Sequence, residues 1–289
     1  LCIKLNKKIP ILFSSSSQAS TDSEYGISKK KSEDLLIEYQ KKTGNPVLIY
    51  RLENIFGKWC KPNYNSVVAT LCHNTANNIE VSINDPKTEL SLVYIDDVIK
   101  SFLNNYENCF GLKNINIEPV YRIKLNELLN KIITYNQTSK SLVLEPVGEG
   151  LDRALYSTFL SYLPKSKFSY KLSENKDERG KFVEIIKTKK TGQISFLTAH
   201  PGITRGSHFH HSKNEKFILV NGIARIKYRN IITNDTHEII VNDSDSTVVE
   251  TIPGWVHDIT NIGNEKLIVL VWANEVFDIE NPDTFVENI

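Results

Sequence analysis

The sequence lacks methionine, a charge excess, a long apolar run and a glycine-rich array, and each absence narrows what the chain does. With leucine at position 1 and no methionine anywhere, it reads as a sequence from which an upstream stretch is missing. The 35 basic and 34 acidic side chains leave a formal net charge of +1, so no field gathers nucleic acid or a charged membrane face. Small molecules or proteins are the expected partners. No apolar run approaches the roughly 18 residues that cross a bilayer, and the N-terminus lacks a signal-peptide core with its cleavage site. The four cysteines, Cys2, Cys60, Cys72 and Cys109, lie far apart with no C-x-x-C. That argues against a disulfide framework or a thiolate zinc site and fits a reducing, cytoplasmic setting.

What is present divides in two. At 289 residues the chain exceeds the usual single domain, so two domains are expected. Residues 1–163 alternate strand-like and helix-like stretches: "IPILFSSSS" as a buried strand, "YGISKKKSEDLLIEYQKKTGN" as an amphipathic helix closed by Gly44, "PVLIYRL" as a strand, and "ELSLVYIDDVIKSFLNNY" as a strand passing into a helix. "RIKLNELLNKIITYN" and "LDRALYSTFLSYL" read as further helices. Such alternation predicts an α/β domain with a parallel sheet. Residues 164–180 are polar, charged and broken by Pro164 and Gly180, and read as a linker. From 181 to 289 come roughly eight short β-rich runs between turn signals, which predict an all-β jelly roll.

The histidines are concentrated. In "SHFHHSKNEKF" (207–217), His208 and His210 alternate on one face of a strand with Phe209 on the other, Glu215 opens the next run, and His257 follows the turn in "IPGWVHDITN". Three imidazoles and a carboxylate converging inside a barrel suit zinc, iron, manganese or nickel. An H-x-H alone is a weak signal, since polar strands produce it by chance. The longer string is more specific: Gly202, five residues, His208-x-His210, four residues, Glu215, six residues, Gly222 resembles the first signature of the cupin superfamily. "PGWVHDITN" resembles the second, with Gly254, His257 and Asn261 in place, although Pro253 adjoins Gly254 and the usual upstream glycine is missing. The resemblance implies that His208, His210, Glu215 and His257 are the metal ligands. His211 either supports them or faces solvent, and His237 belongs to an exposed strand.

In the first half, "YGISK" places Tyr25 and Lys29 four apart on one helical face, beside a strand that ends in serines. A phenol flanked by an ammonium is suited to giving its proton to a carbonyl. A Y-x-x-x-K in a lysine-rich helix is otherwise only a solvated face. Followed by "YRLENIFG", "KPNYNS" and "LVYIDDV", the order resembles the extended short-chain dehydrogenase/reductase (SDR) family acting on nucleotide sugars. That resemblance implies a catalytic triad of Ser16 (or Ser15), Tyr25 and Lys29, with Tyr25 and Lys29 also touching the cofactor. It places Arg51, Asn54 and Asn65 around the nucleotide sugar, with a structural ion pair as the other reading of Arg51. The family opens with a glycine-rich turn that carries the cofactor pyrophosphate, and none of the 13 glycines here forms that array. The expected fold is therefore a partial Rossmann-like SDR domain, its cofactor-binding half missing, followed by a cupin jelly roll.

An SDR domain ahead of a cupin, with "FGKWCKPNYNSV", "ERGKFVEIIKT", "TAHPGITRGSHFHHSKNEKF" and "ETIPGWVHDITNIGNEKLIVLVWANE", resembles the bifunctional capsular-polysaccharide enzymes of the CapF type. The resemblance implies two reactions on a UDP-linked 4-keto-6-deoxy amino sugar. The first is C3 epimerisation at a cupin metal, zinc or another divalent ion. The second is NADPH-dependent C4 reduction to UDP-2-acetamido-2,6-dideoxy-L-talose, on the route to UDP-L-FucNAc. It implies a homodimer or homotetramer. Arg205 is either a grip on a phosphate or carbonyl oxygen or a structural strand-end arginine, and the base that removes the C3 proton is unassigned. NADPH binding is not expected of these residues alone. The alternatives are a non-catalytic metal- or nucleotide-sugar-binding module and a truncated remnant without reductase activity.

Overall fold

The computed structural model describes residues 9–107 and 109–289, so Cys2 lies outside the described residues. The chain divides into two compact units, Leu1–Asn136 with Val147–Phe168, and Gln137–Pro146 with Ser169–Ile289. Among the described residues no helix is long and apolar enough to cross a membrane.

The first unit is α/β. Its strands β1 (Ile11–Ser16) and β2 (Val47–Leu52) are joined by helix α1 (Glu24–Thr43). The helix starts where Ser23 accepts from the Gly26 amide at 3.0 Å and stops at Gly44, whose φ of 68° an L side chain adopts reluctantly. Strand β3 (Asn54–Phe56) and helix α2 (Val67–Ala76) follow, then β4 (Glu89–Tyr94) running directly into α3 (Ile95–Glu107), and β5 (Leu112–Ile115). β1, β2 and β5 form one parallel sheet in that order. Val47, Leu48, Ile49 and Tyr50 are all buried, as a strand covered on both faces requires, and Arg51 is the one exposed position of β2. β3 and β4 pair in parallel in a second sheet, completed by an antiparallel β6 (Tyr121–Lys124). Helices α4 (Leu125–Ser141) and α5 (Gly150–Leu160) pack Leu128, Ile132, Leu155 and Phe159 against Phe56, Leu71 and Leu92.

Three sequence expectations change here. The stretch beginning "RIKL" reads as helix, yet its first residues are strand β6, because Leu90 and Leu92 of β4 offer an antiparallel partner and bury Ile123. The boundary also moves: β7 (Val143–Leu144) pairs in parallel with Lys187 and Thr188, which draws Gln137–Pro146 into the second unit. The segment read as a linker already contains β8 (Asn175–Asp177), paired antiparallel with Lys181 and its neighbours.

The second unit packs two sheets face to face. The larger holds β15 (Val248–Glu250), β12 (Glu215–Asn221), β17 (Leu267–Ala273), β10 (Gly192–Ala199), β9 (Gly180–Thr188) and β7, with β8 on β9. The smaller runs β14 (Thr236–Asn242), β13 (Ile223–Asn230), β16 (Trp255–Asn261), β11 (Thr204–Phe209) and β18 (Phe285–Val286). Leu197, Phe217, Leu219, Val269 and Val271 from one sheet meet Ala224, Ile226, Tyr228 and Ile259 from the other. Inward apolar and outward polar residues alternate along β13, where Arg225, Lys227 and Arg229 point away from that core.

Candidate functional site

The interior of the second unit stops being apolar near the ends of β11, β12 and β16. Gly206 has a φ of 102°, and a Cβ there would meet the His257 carbonyl at 2.9 Å, so glycine lets β11 lie close against β16. Ser207 then takes a left-handed φ of 60°, and the register shifts by one residue. The bulge turns His208 to the face shared by its partner His257.

His208, His210, Glu215 and His257 thereby come together, each offering a ligand atom within 4.8 Å of the others. His210 and His257 are buried, and Glu215 Oε2 lies 3.6 Å from His210 Nε2 and 3.9 Å from His257 Nε2. The Nδ1 of His210 meets the main-chain carbonyl of Asp283, and that of His257 meets the Trp255 carbonyl at 3.3 Å. A carbonyl only accepts, so both Nδ1 atoms carry the proton and both Nε2 lone pairs face the cluster. Neither Nε2 has a hydrogen-bond partner although both are buried. An orphaned acceptor in the interior is costly unless something positive or protic meets it.

The electrostatics point the same way. Burial, then the neighbouring His208, pushes His257 down to about 4, and burial with His210 lowers His208. Burial alone would raise Glu215, but His210 and the Lys213 ammonium, 2.8 Å away, outweigh it and hold the carboxyl at about 2. At neutral pH His208 and His257 are neutral and Glu215 is an anion, a protonation state ready for a divalent cation without displacing protons.

Two cavities meet at His208 and Glu215. One, of about 260 Å³, is lined also by Arg205, Arg179, His257 and Phe182. Arg205 reaches the Thr198 carbonyl at 3.3 Å and lies 3.7 Å from Asp177, so its side chain both braces the strand and borders the cavity. The other, of about 550 Å³, has a polar wall of Glu184, Lys187, Gln193, Ser195 and Lys213. Sequence reasoning missed Lys213, which lies inside the histidine string and reads as an ordinary turn residue, and Asp283, which is distant in sequence and carries no signal.

In the first unit, Ser16, Tyr25, Lys29, Asn54 and Asn65 all line one cavity of about 650 Å³. The Lys29 ammonium lies 5.6 Å from the Tyr25 ring centre and donates to the Ser14 carbonyl at 2.9 Å. Ser15 also borders the cavity but donates its hydroxyl to buried Glu33 at 2.6 Å, which leaves Ser16 as the freer serine. Asn54 donates to the Ser91 carbonyl at 3.0 Å. Arg51 is not part of this wall. Its guanidinium forks onto Glu33 at 2.9 and 2.7 Å and onto Ser20 at 3.1 Å, a geometry that fits the structural ion pair.

Comparison with known proteins agrees with this architecture. A family described as "NAD dependent epimerase/dehydratase family" matches residues 6–117, and one described as "Polysaccharide biosynthesis C-terminal domain" matches residues 175–285. A UDP-2-acetamido-2,6-beta-L-arabino-hexul-4-ose reductase of Pseudomonas aeruginosa is 50% identical over 280 residues, covering 96% of this chain and 75% of the relative. The crystal structure of the capsular polysaccharide assembling protein CapF of Staphylococcus aureus superposes with a TM-score of 0.94 at 41% identity, covering 98% of this chain and 79% of that one. The chain belongs to the CapF-type family. A CapF structure with the inhibitor 3-isopropenyl-tropolone matches with a TM-score of 0.89 at 38% identity, covering 98% of this chain and 80% of that one. The epimerase/dehydratase match falls on the Rossmann-like unit and the polysaccharide-biosynthesis match on the jelly roll. The chain is thus an enzyme of the CapF-type epimerase/reductase class in capsular-polysaccharide precursor synthesis.

Proposed function

We propose that the jelly roll of this chain epimerises C3 of a UDP-linked 4-keto-6-deoxy amino sugar with a divalent metal, zinc being the first choice, held by His208, His210, Glu215 and His257. The observation that carries this reading is the pair of buried, unpartnered Nε2 atoms on His210 and His257, aimed at an anionic Glu215. Three nitrogens and one oxygen, with both outer Nδ1 atoms anchored on carbonyls, fit such an ion. When bound, the metal supplies Lewis-acid stabilisation of negative charge on an oxygen beside C3.

The chain's own residues do the rest. A C3 proton next to a C4 ketone is acidic, and its removal moves charge toward the ketone oxygen. Arg205 in the smaller cavity and Lys213 in the larger present cations to that region. Because the two cavities meet at His208 and Glu215, a sugar held there is open to solvent or to a side chain from more than one direction, which inversion requires. In the first unit, Tyr25, Lys29 and Ser16 share one cavity in the manner of a carbonyl-reducing site, with Asn54 and Asn65 positioned to touch the nucleotide sugar. In the CapF family that site would perform the NADPH-dependent C4 reduction, Tyr25 and Lys29 touching the cofactor. These 289 residues contain no glycine-rich turn for the pyrophosphate, so the isolated chain is expected to show no saturable NADPH binding by fluorescence titration. A saturable isotherm would refute that part of the reading.

Proton NMR of the 4-keto sugar in deuterated water tests the epimerase. The C3 proton signal is expected to disappear with the metal-loaded chain and to persist with chelator. A folded, metal-loaded sample that leaves the C3 proton in place would instead make the jelly roll a binding module.

A further inference from the structure

The C-terminal segment passes beside the histidine cluster, and Asp283 makes five hydrogen bonds there, one to His210 and four to the turn that follows it. One oxygen of its carboxylate accepts from the His211 amide at 2.8 Å; the other accepts from the Ser212 amide at 2.7 Å, the Ser212 hydroxyl at 2.9 Å and the Lys213 amide at 2.7 Å. Its main-chain carbonyl takes the His210 Nδ1 proton. Those amides belong to the turn between β11 and β12, the turn that connects His210 to Glu215. Just beyond, β18 pairs with His208 and Phe209, Phe285 stacks on Phe209 with ring centres 5.3 Å apart, and Arg229 grips Glu287.

We infer that Asp283 is a positioning residue for the metal cluster: its carboxylate fixes the His211–Lys213 turn while its carbonyl sets the tautomer and aim of His210. Three successive amides converging on one carboxylate make a rigid turn, because each bond is charge-assisted and all share one acceptor group. Their pull holds Asp283 well below the usual carboxylate range, although burial acts the other way. With the turn fixed, His210 and Glu215 are spaced before any ion arrives, and the ordering cost of binding falls.

This inference rests on the metal reading of the cluster, and its test separates the two. Zinc affinity of the full chain is measured by competition with a chromophoric chelator, alongside the visible spectrum of the cobalt-substituted protein and the thermal midpoint. Asp283→Ala is expected to weaken zinc binding by about 10- to 100-fold and to change the cobalt bands, the size found when an outer partner of a ligand is lost. Asp283→Asn, which keeps one acceptor oxygen for the turn, is expected to fall between. Phe285→Ala removes the stack on Phe209 and leaves every bond of the Asp283 carboxylate in place, so it serves as the structural control: it is expected to lower the midpoint while leaving the cobalt bands unchanged. Wild-type affinity and wild-type cobalt bands in Asp283→Ala would overturn the inference. So would equal losses in Asp283→Ala and Phe285→Ala. If Asp283→Ala does not fold, Asp283→Asn carries the same comparison. A wild-type chain that binds no zinc at all would overturn the metal reading itself.

Discussion

Glu215→Gln and His257→Ala are each expected to lower zinc affinity by more than about 100-fold, exceeding the loss of an outer partner, and to abolish C3 proton exchange. The two act differently. Glu215 is the one anion in the four-residue cluster, and the amide of glutamine keeps its size while removing the charge that balances the cation. The same change leaves the Lys213 ammonium, now paired to Glu215 at 2.8 Å, buried without a counter-ion, so a loss of stability accompanies the loss of metal. His257→Ala instead deletes a neutral ligand whose Nε2 carries no proton at pH 7, burial and His208 having pushed the ring down to about 4. It therefore removes affinity without creating a stranded charge, and its thermal midpoint without metal is expected to fall less than that of Glu215→Gln. Chelator competition, exchange NMR and thermal unfolding on the two variants form one experiment. Metal-dependent exchange at the wild-type rate in either variant would mean that the chemistry lies elsewhere.

The four cluster residues were legible in the sequence because strand periodicity and spacing bring them together: alternation aligns His208 with His210, and the pairing of β11 with β16 brings in His257. What places them was not legible. The bulge at Ser207 depends on Gly206 lying against the His257 carbonyl, a contact between strands far apart in sequence. Asp283 is further still from the turn it holds. In the first unit, α1 follows from its cap signals at Ser23 and Gly44, although it buries only Gly26 and Glu33 and lacks the apolar face of an amphipathic helix, and β2 follows from the apolar run Val47–Tyr50. Helix α2 was missed because Val67, Val68 and Thr70 are poor helix formers, and its stability comes from burying Val68, Leu71 and Cys72. Strand β6 was misread because "RIKLNELLNKI" has helical spacing throughout, and only the open edge of β4 selects strand for its first residues. Local signals were read correctly where the answer was local.

Arg51→Met is expected to destabilise the Rossmann-like unit by about 2–3 kcal/mol. Glu33 is 2% exposed and keeps its charge because the Arg51 fork, foremost, and the Ser15 hydroxyl hold its carboxyl below the ordinary range despite burial. Removing Arg51 leaves an anion in the interior with the Ser15 hydroxyl and a Lys30 ammonium 4.0 Å away, which is costlier than the intact pair was stabilising. The figure stays below the roughly 3–5 kcal/mol of a fully buried pair because the Arg51 side chain is 39% exposed. Glu33 then binds a proton more readily, so the deficit should shrink as pH falls through its raised value and be greatest at neutral pH. The helical circular-dichroism signal isolates this transition, since the α-helices lie mainly in the first unit and the jelly roll is built of strands. The double variant Arg51→Met, Glu33→Leu is expected to recover most of the loss, because it removes the stranded charge with its partner. A substrate-gripping arginine would behave oppositely: Arg51→Met would leave the unfolding curve in place and weaken binding of the nucleotide sugar. The fork onto Glu33 and Ser20 engages three of the five guanidinium N–H groups, and it is this part of the side chain that the stability measurement reads.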